Sequence, residues 1–296
     1  MRIVIARNVK RGVFLLSLLL AGGVAWALPK EEAVPGGVVL VNLPREQQGA
    51  VMYQGRYVLV WHDGQSAVAV VGIPLAAKPG VHHLELPGGA HIPFTIHAKD
   101  YPVQRLKLPP RMVSPPQAQL ARIEAESKKL AGARATYSMH EPESLMPTLP
   151  VCGRLSTPFG LRRLLNGEPR QSHMGWDLAA PAGTVVHAPL SGIVLLAEAM
   201  YFSGNTVVVD HGSGLITLYG HLASMAVQPG EEVAAGAAIG QVGSTGRATG
   251  PHLHLALALN GTWVTPGAFL EQSLQRCAAG GGAGHKPGSA HQARHN

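Results

Sequence analysis

The chain has 296 residues, enough for one large domain or two ordinary ones, and its 46% hydrophobic content excludes a wholly disordered chain. Only 14% of the residues are charged, whereas 36 Gly and 23 Pro favour short strands and turns over long charged helices. Setting aside residues 1–27 lowers the formal net charge from +7 to +3, with 20 basic and 17 acidic residues left. Such a balance argues against the clustered basic surface of a nucleic-acid binder.

The first 27 residues have the pattern of a secretory signal peptide. Basic residues from Arg2 to Arg11 precede an apolar run over residues 13–24, and Ala25-Trp26-Ala27 fits the small-x-small cleavage rule. We therefore expect export to the periplasm or cell envelope, with no stable membrane insertion after cleavage near Leu28. An uncleaved N-terminal anchor is the alternative. Beyond residue 28 no apolar stretch of 18 or more residues occurs, which excludes a multi-span membrane protein.

Residues 36–108 alternate apolar and polar positions in short runs, which turn residues such as Asp63-Gly64 separate. This pattern predicts strands over residues 38–41, 51–53, 57–61, 67–71, 82–86 and 92–97. Strands that are this short and this closely spaced predict a small N-terminal β-sandwich.

A helix and a proline-rich linker are predicted over residues 114–150. Ser114 fits a helix cap, Pro115 the first helical position and Gln117 the third, and the helix is expected to run to about Ala131. The three prolines of residues 136–150 indicate an extended linker.

Residues 151–277 are again strand-rich and predict a second domain in a mainly β protein. Its strands are expected over residues 184–188, 192–197, 206–210, 216–221, 237–242 and 252–259. Cys152 and Cys277 lie at the two margins of this domain, and in an exported protein they predict a disulfide, with two unpaired thiols as the alternative. The low-complexity tail over residues 278–296 is expected to be disordered.

The second domain also carries a cluster of histidines and one aspartate. His173 and Asp177 are four residues apart on a predicted loop or strand end, and His221 ends an apolar run. His252 and His254 alternate along a strand and therefore point to the same face. Imidazole and carboxylate ligands with one open position are typical of a catalytic zinc site, so the pattern predicts one.

These motifs resemble the M23 family of zinc metallopeptidases, the lysostaphin-like or LytM-like endopeptidases. The matching motifs are Gly160-x-Arg162, His173-x-x-x-Asp177, Tyr219-Gly220-His221 and Thr249-Gly250-Pro251-His252-Leu253-His254. The resemblance covers roughly residues 151–272 and implies an antiparallel β peptidase domain. The N-terminal β-domain is similar, more vaguely, to one that precedes the peptidase in some exported members.

The resemblance implies that His173, Asp177 and His254 bind one zinc ion and that His221 and His252 are the catalytic pair. It also implies hydrolysis of peptide bonds in the stem peptides or cross-links of peptidoglycan. Members often have an aromatic and an acid where this chain has Leu255-Ala256, but neither position supplies a ligand.

Several alternatives stay open at this point. A catalytically inactive LytM-like module that activates a cell-wall amidase is the main rival function, whereas a biotinyl or lipoyl carrier is excluded because no lysine lies between Lys129 and Lys286. Arg162 is either a surface charge or a contact to substrate carboxylates, and Tyr219 either packs inside or lines the cleft. The sequence does not decide which bond is cut, which histidine is the general base, what the N-terminal domain does, or the oligomeric state.

The linker suggests one further hypothesis, autoinhibition. Its side chains His140, Glu141 and Glu143 are candidate occupants of the open coordination position of the zinc site.

Overall fold

The computed structural model describes residues 28–45, 47, 49–62, 66–107 and 115–280. The predicted signal peptide, the Asp63-Gly64 turn and Ser114 lie outside the described residues, as does the tail over residues 281–296. Within the described part, no helix is both long and apolar enough to cross a membrane.

Seven short strands build the N-terminal part: Val38–Leu43 (β1), Met52–Tyr53 (β2), Arg56–Tyr57 (β3), Leu59–His62 (β4), Ala67–Gly72 (β5), Gly80–Glu85 (β6) and His91–Ile96 (β7). They form one sheet in the order β1-β5-β4 and a second in the order β3-β2-β6-β7. Side chains of both sheets, among them Tyr53, Val71 and Leu84, form one buried core. The predicted strand over residues 57–61 is divided at Val58, because β3 pairs with β2 and β4 with β5.

The chain then reaches across to the second half of the molecule through Val103–Leu106 (β8). This strand pairs in parallel with Arg162–Leu165 (β10), which forms a hairpin with Glu168–Arg170 (β11). The sequence pattern did not predict these three strands.

The helix Leu120–Arg134 (α1) begins five residues later than predicted. Pro116 has extended backbone (ψ 143°), and a 3-10 turn over Gln117–Gln119 precedes the helix, so Pro115 is not its first residue. Arg122 and Glu126 form an ion pair on this helix, and Glu126 also accepts a hydrogen bond from the Tyr201 backbone N–H, at 2.8 Å. The helix is therefore fixed against the large sheet. Residues 135–150 contain no helix or strand, and Leu145 there is fully buried.

A sheet of ten strands forms the second half of the molecule: Arg154–Thr157 (β9), Trp176–Ala179 (β12), Val185–His187 (β13), Gly192–Met200 (β14), Gly204–Asp210 (β15), Ile216–Met225 (β16), Glu232–Val233 (β17), Ala238–Val242 (β18), Leu253–Leu259 (β19) and Thr262–Val264 (β20). Its main path runs β17-β14-β15-β16-β19-β12-β9, and all of its pairs are antiparallel. The predicted mainly β fold class is confirmed.

A second helix, Gly267–Gly280 (α2), closes the described chain. It extends three residues into the stretch predicted to be disordered from residue 278. A disulfide joins Cys277 on this helix to Cys152, with the two Cα atoms 5.7 Å apart. The helix is thereby tied to the start of the large sheet.

Candidate metal centre and active site

The three candidate metal ligands come together beside neighbouring strands of the large sheet. Asp177 on β12 and His254 on β19 lie directly opposite each other in the antiparallel pair, so their side chains share one face. His173 lies just before β12, and its Nε2 is 2.9 Å from Asp177 Oδ1 and 3.1 Å from His254 Nδ1. His254 Nδ1 is 2.9 Å from the same carboxylate oxygen. These atoms from three segments converge closely enough to hold a metal ion.

Contacts behind the cluster set its electrostatics. His173 Nδ1 donates to the Pro158 carbonyl oxygen at 2.9 Å, which leaves the Nε2 lone pair of the neutral ring directed at the cluster. Burial opposes ionisation of Asp177, but the imidazoles of His173 and His254 within hydrogen-bonding distance hold its pKa well below the ordinary value. Burial lowers the pKa of His254 and keeps that ring neutral. An ionised carboxylate together with neutral imidazoles is a suitable set of metal ligands.

Gly175, between the first two ligands, leaves the space that the third one occupies. A Cβ atom on this residue would lie 2.4 Å from the Leu255 carbonyl oxygen and 2.9 Å from His254 Cε1. Any side chain here would therefore displace β19 or the His254 ring. The glycine is needed for this close approach rather than for a special turn.

His221 and His252 lie beside the cluster as a pair. Their ring centroids are 4.7 Å apart, and His252 Nε2 is 3.8 Å from Asp177 Oδ1. His221 Nδ1 donates to the Thr245 carbonyl oxygen and His252 Nδ1 to that of Gly250, both at 2.8 Å. In its neutral form, each ring therefore has its proton on Nδ1 and an unprotonated Nε2. Burial lowers the pKa of His221 to about 4, although the Thr245 carbonyl opposes this shift.

A β-bulge directs His221 out of the regular alternation of β16. Between its pairs Asn205↔Leu222 and Val207↔Tyr219, β16 contains one more residue than β15. His221 has a φ of 62°, which is uncommon outside glycine, and its backbone N–H donates to the Ser203 carbonyl oxygen at 2.6 Å. Bulges often aim a side chain at a functional site, and this one places His221 against His252.

The sequence suggested two substrate contacts, Arg162 and Tyr219, and the structure places them in different environments. Arg162 is exposed on β10. Tyr219 is fully buried, and its hydroxyl lies 2.7 Å from Thr217 Oγ1. Of the two alternatives for this tyrosine, its burial favours packing inside over a direct contact with substrate.

The linker residues considered as occupants of the metal site lie elsewhere. Glu141 pairs with His62, Glu143 accepts from the Ser191 N–H, and the His140 carbonyl accepts from the Ser213 hydroxyl. Ser213 follows the end of β15 that is opposite to Ser203 and His221, and seven residues of strand span about 20 Å. The hypothesis that these three side chains block the metal is wrong for this structure.

Some residues that shape the site were not found by sequence reasoning. The carbonyl groups of Pro158, Thr245 and Gly250 orient three of the histidines, but a backbone carbonyl leaves no trace in residue types.

Comparisons with known proteins agree with this geometry. A sequence profile of Peptidase family M23 matches residues 171–266, and a profile of the Peptidase family M23 N-terminal domain matches residues 31–99. The first range contains all five histidine and aspartate residues of the site.

Two curated relatives are DD-carboxypeptidase/endopeptidase Mpg of Neisseria meningitidis, 42% identical over 116 residues, and peptidoglycan DD-endopeptidase ShyA of Vibrio cholerae, 41% identical over 109 residues. These alignments cover 39% and 36% of this chain, and the chain spans only 27% and 25% of the relatives' lengths.

A crystal structure reported for an M23 peptidase of Pseudomonas aeruginosa is similar over a much larger part of the molecule. It is 38% identical, with a TM-score of 0.69, and the match covers 81% of this chain and 96% of that one. Both the N-terminal β-domain and the sheet that carries the site match known M23 sequences. The chain belongs to peptidase family M23.

Proposed function

We propose that this protein is a zinc-dependent endopeptidase that hydrolyses peptide bonds in the stem peptides or cross-links of peptidoglycan. The observation that carries the proposal is the complete set of His173, Asp177 and His254 with the His221–His252 pair beside it. The names of the relatives, which are peptidoglycan and DD-peptidases, support the substrate class. They also support an exported protein that acts in the periplasm or cell envelope.

The spacing of the candidate ligands supports zinc as the metal. Zinc binds imidazole nitrogen and carboxylate oxygen at about 2.0–2.1 Å in a tetrahedron, so two ligand atoms lie roughly 3.3 Å apart. The three interatomic distances here are 2.9, 2.9 and 3.1 Å. Three protein ligands leave one position of the tetrahedron open, as in catalytic rather than structural zinc sites.

The residues of the chain divide the chemistry between them. His173, Asp177 and His254 would hold the ion, which when bound lowers the pKa of a coordinated water towards ~7 and polarises the scissile carbonyl. The Nε2 of a neutral His221 or His252 accepts the proton of the attacking water and passes it to the leaving amine. The other imidazole stabilises the developing oxyanion.

The hydrogen bonds to Thr245 and Gly250 add a condition to this scheme. Because both Nδ1 protons are donated to backbone carbonyls, a neutral ring has no proton left on Nε2. The histidine that stabilises the oxyanion must therefore be the doubly protonated one.

Zinc analysis and digestion of purified sacculi test the proposal together. We expect about one zinc per chain and release of soluble muropeptides, loss of both after chelation, and recovery of both on adding zinc. Protein that binds zinc but releases no muropeptides, and that stimulates a cell-wall amidase instead, would support the inactive-activator alternative. Absence of zinc at micromolar free metal would reject the proposal.

A further inference from the structure

The hairpin of β10 and β11 is attached directly to a candidate metal ligand. The His173 backbone N–H donates to the Leu161 carbonyl oxygen at 3.0 Å, and the Gly160 N–H donates to the His173 carbonyl oxygen at 2.8 Å. Arg163 and Arg170 lie directly opposite each other in this hairpin. Two like charges in opposed positions destabilise a hairpin unless something else compensates.

A third arginine is attached to the other side of the site. The Arg247 N–H donates to the Phe202 carbonyl oxygen at 2.9 Å, and its guanidinium lies 4.4 Å from the Phe202 ring centroid. Phe202 precedes Ser203, and Arg247 follows Thr245 by two residues. Ser203 and Thr245 are the residues whose carbonyl groups bind the His221 backbone and ring.

The charges of Arg163 and Arg170 both act on the exposed Arg247, so the three guanidinium groups lie near one another. Partial burial lowers the pKa of Arg247, and the charges of Arg163 and Arg170 lower it further, while Tyr201 opposes the shift. The Nε atoms of Arg163 and Arg170 are buried and have no hydrogen-bond partner among the described residues. Among the described residues, the acidic partner of this group is Glu168, which is mostly exposed and forms an ion pair with Arg170 at 2.8 Å. The group therefore keeps excess positive charge and buried N–H donors without an acceptor, at a cost in free energy.

We propose that Arg163, Arg170 and Arg247 bind a free carboxylate of the peptide substrate close to the scissile bond. This inference rests on the proposed function and specifies its substrate class. A planar guanidinium binds a carboxylate with two parallel hydrogen bonds, so the missing acceptors and the missing negative charge are supplied by one ligand. A cross-link from D-Ala to diaminopimelate carries such a carboxylate on the carbon that bears the scissile nitrogen, whereas a polyglycine bridge carries none there.

Two synthetic cross-linked peptides that differ in one group test the proposal. One is the D-Ala–diaminopimelate peptide with that carboxylate free, and the other has it converted to a carboxamide. We expect the zinc-loaded wild type to cleave the free acid with a kcat/KM roughly ten- to hundredfold higher. Arg163→Gln, Arg170→Gln and Arg247→Gln should each reduce this ratio towards one while cleavage of the carboxamide stays within a few-fold of wild type.

Arg105→Gln is the matched control, because this exposed residue of β8 lies opposite Leu164 and therefore on the other face of the sheet from Arg163. Its selectivity ratio should equal that of the wild type, and zinc content should be unchanged in all four variants. Equal cleavage of both peptides by the wild type would overturn the arginine site and leave the proposed hydrolase intact. If neither peptide is cleaved, calorimetric binding decides: selective, arginine-dependent binding of the free acid supports the site and rejects the hydrolase, and no binding rejects both.

Discussion

The five residues of the site differ in what their replacement should remove. His173, Asp177 and His254 converge on one point, so each Ala variant leaves two candidate ligands and should lose both zinc and activity. His221 and His252 lie beside that point, and each donates its Nδ1 proton to a backbone carbonyl group. Their Ala variants should keep near-stoichiometric zinc while turnover falls by roughly 10²–10⁴-fold, as expected for a lost proton-transfer group.

Elemental analysis beside muropeptide release from sacculi measures both quantities in the same samples. Loss of zinc from His252→Ala but not from His254→Ala would exchange the roles of these two residues. Full activity of either His221→Ala or His252→Ala would contradict a mechanism that uses two histidines.

Residue types were enough to predict which residues form the candidate site, because a metal centre needs specific side chains. Their positions depend on backbone features that residue types do not record. His252 precedes β19 and reaches the site through a single bridge with Gly243, and His221 reaches it through a bulge. The buried position of Tyr219 was undecidable because both a packed tyrosine and one lining a cleft occur in strands of this composition.

At the scale of elements, the alternation of apolar and polar residues predicted most strands of the N-terminal part. It did not explain why β1 and β5 are so apolar. Val39 and Val71 belong to the core of the N-terminal part, whereas Val38 and Val70 belong to the core of the large sheet. Both faces of these strands are therefore buried, and a continuous apolar run is the expected pattern for such strands. Strands β8 and β10 were missed because a parallel pair between distant segments has no local signal.

The helix α2 was also missed, and its attachment leads to a prediction. The Cys152–Cys277 disulfide closes a loop with a sequence separation of 125 residues. On the chain-entropy account, such a closure stabilises the folded state by about 3–5 kcal/mol. We expect the Cys152→Ser/Cys277→Ser variant to lose about this much free energy of unfolding in urea.

Reduced wild type serves as the control, since it should lose a similar amount of stability while the double variant is insensitive to reductant. Mass spectrometry of the non-reduced exported protein gives an independent measurement. Two free thiols in that sample would show that the covalent link does not form in the cell.

The two halves of the molecule share more than a chain connection. The sheet β1-β5-β4 contributes Val38, Leu59, Trp61 and Val70 to the same core as Trp176 and Leu255, which are the sequence neighbours of two candidate metal ligands. Strand β8 pairs with β10 of the hairpin next to His173. Since the N-terminal part supports the elements that carry the site, we propose that it acts as a structural support for the peptidase sheet.

One pair of hydrogen bonds allows this coupling to be tested. Asn260 Oδ1 accepts from the Gly72 N–H at 2.7 Å, and Asn260 Nδ2 donates to the Gly72 carbonyl oxygen at 3.0 Å. Asn260 has a φ of 38° in the turn between β19 and β20, so glycine preserves the backbone while removing the amide. Asn260→Gly leaves both buried Gly72 groups unpaired, which should cost about 2–4 kcal/mol.

For a chain of this size, that loss should lower the melting temperature by roughly 5–10 °C. Because the core is shared, calorimetry of the wild type and of Asn260→Gly should each give a single transition, with the whole transition shifted in the variant. Asn42→Ala, an exposed change on β1 of the same sheet, should alter stability by no more than about 0.5 kcal/mol. Two resolved transitions in the wild type, of which Asn260→Gly shifts only one, would mean that the N-terminal part folds independently and does not support the peptidase sheet.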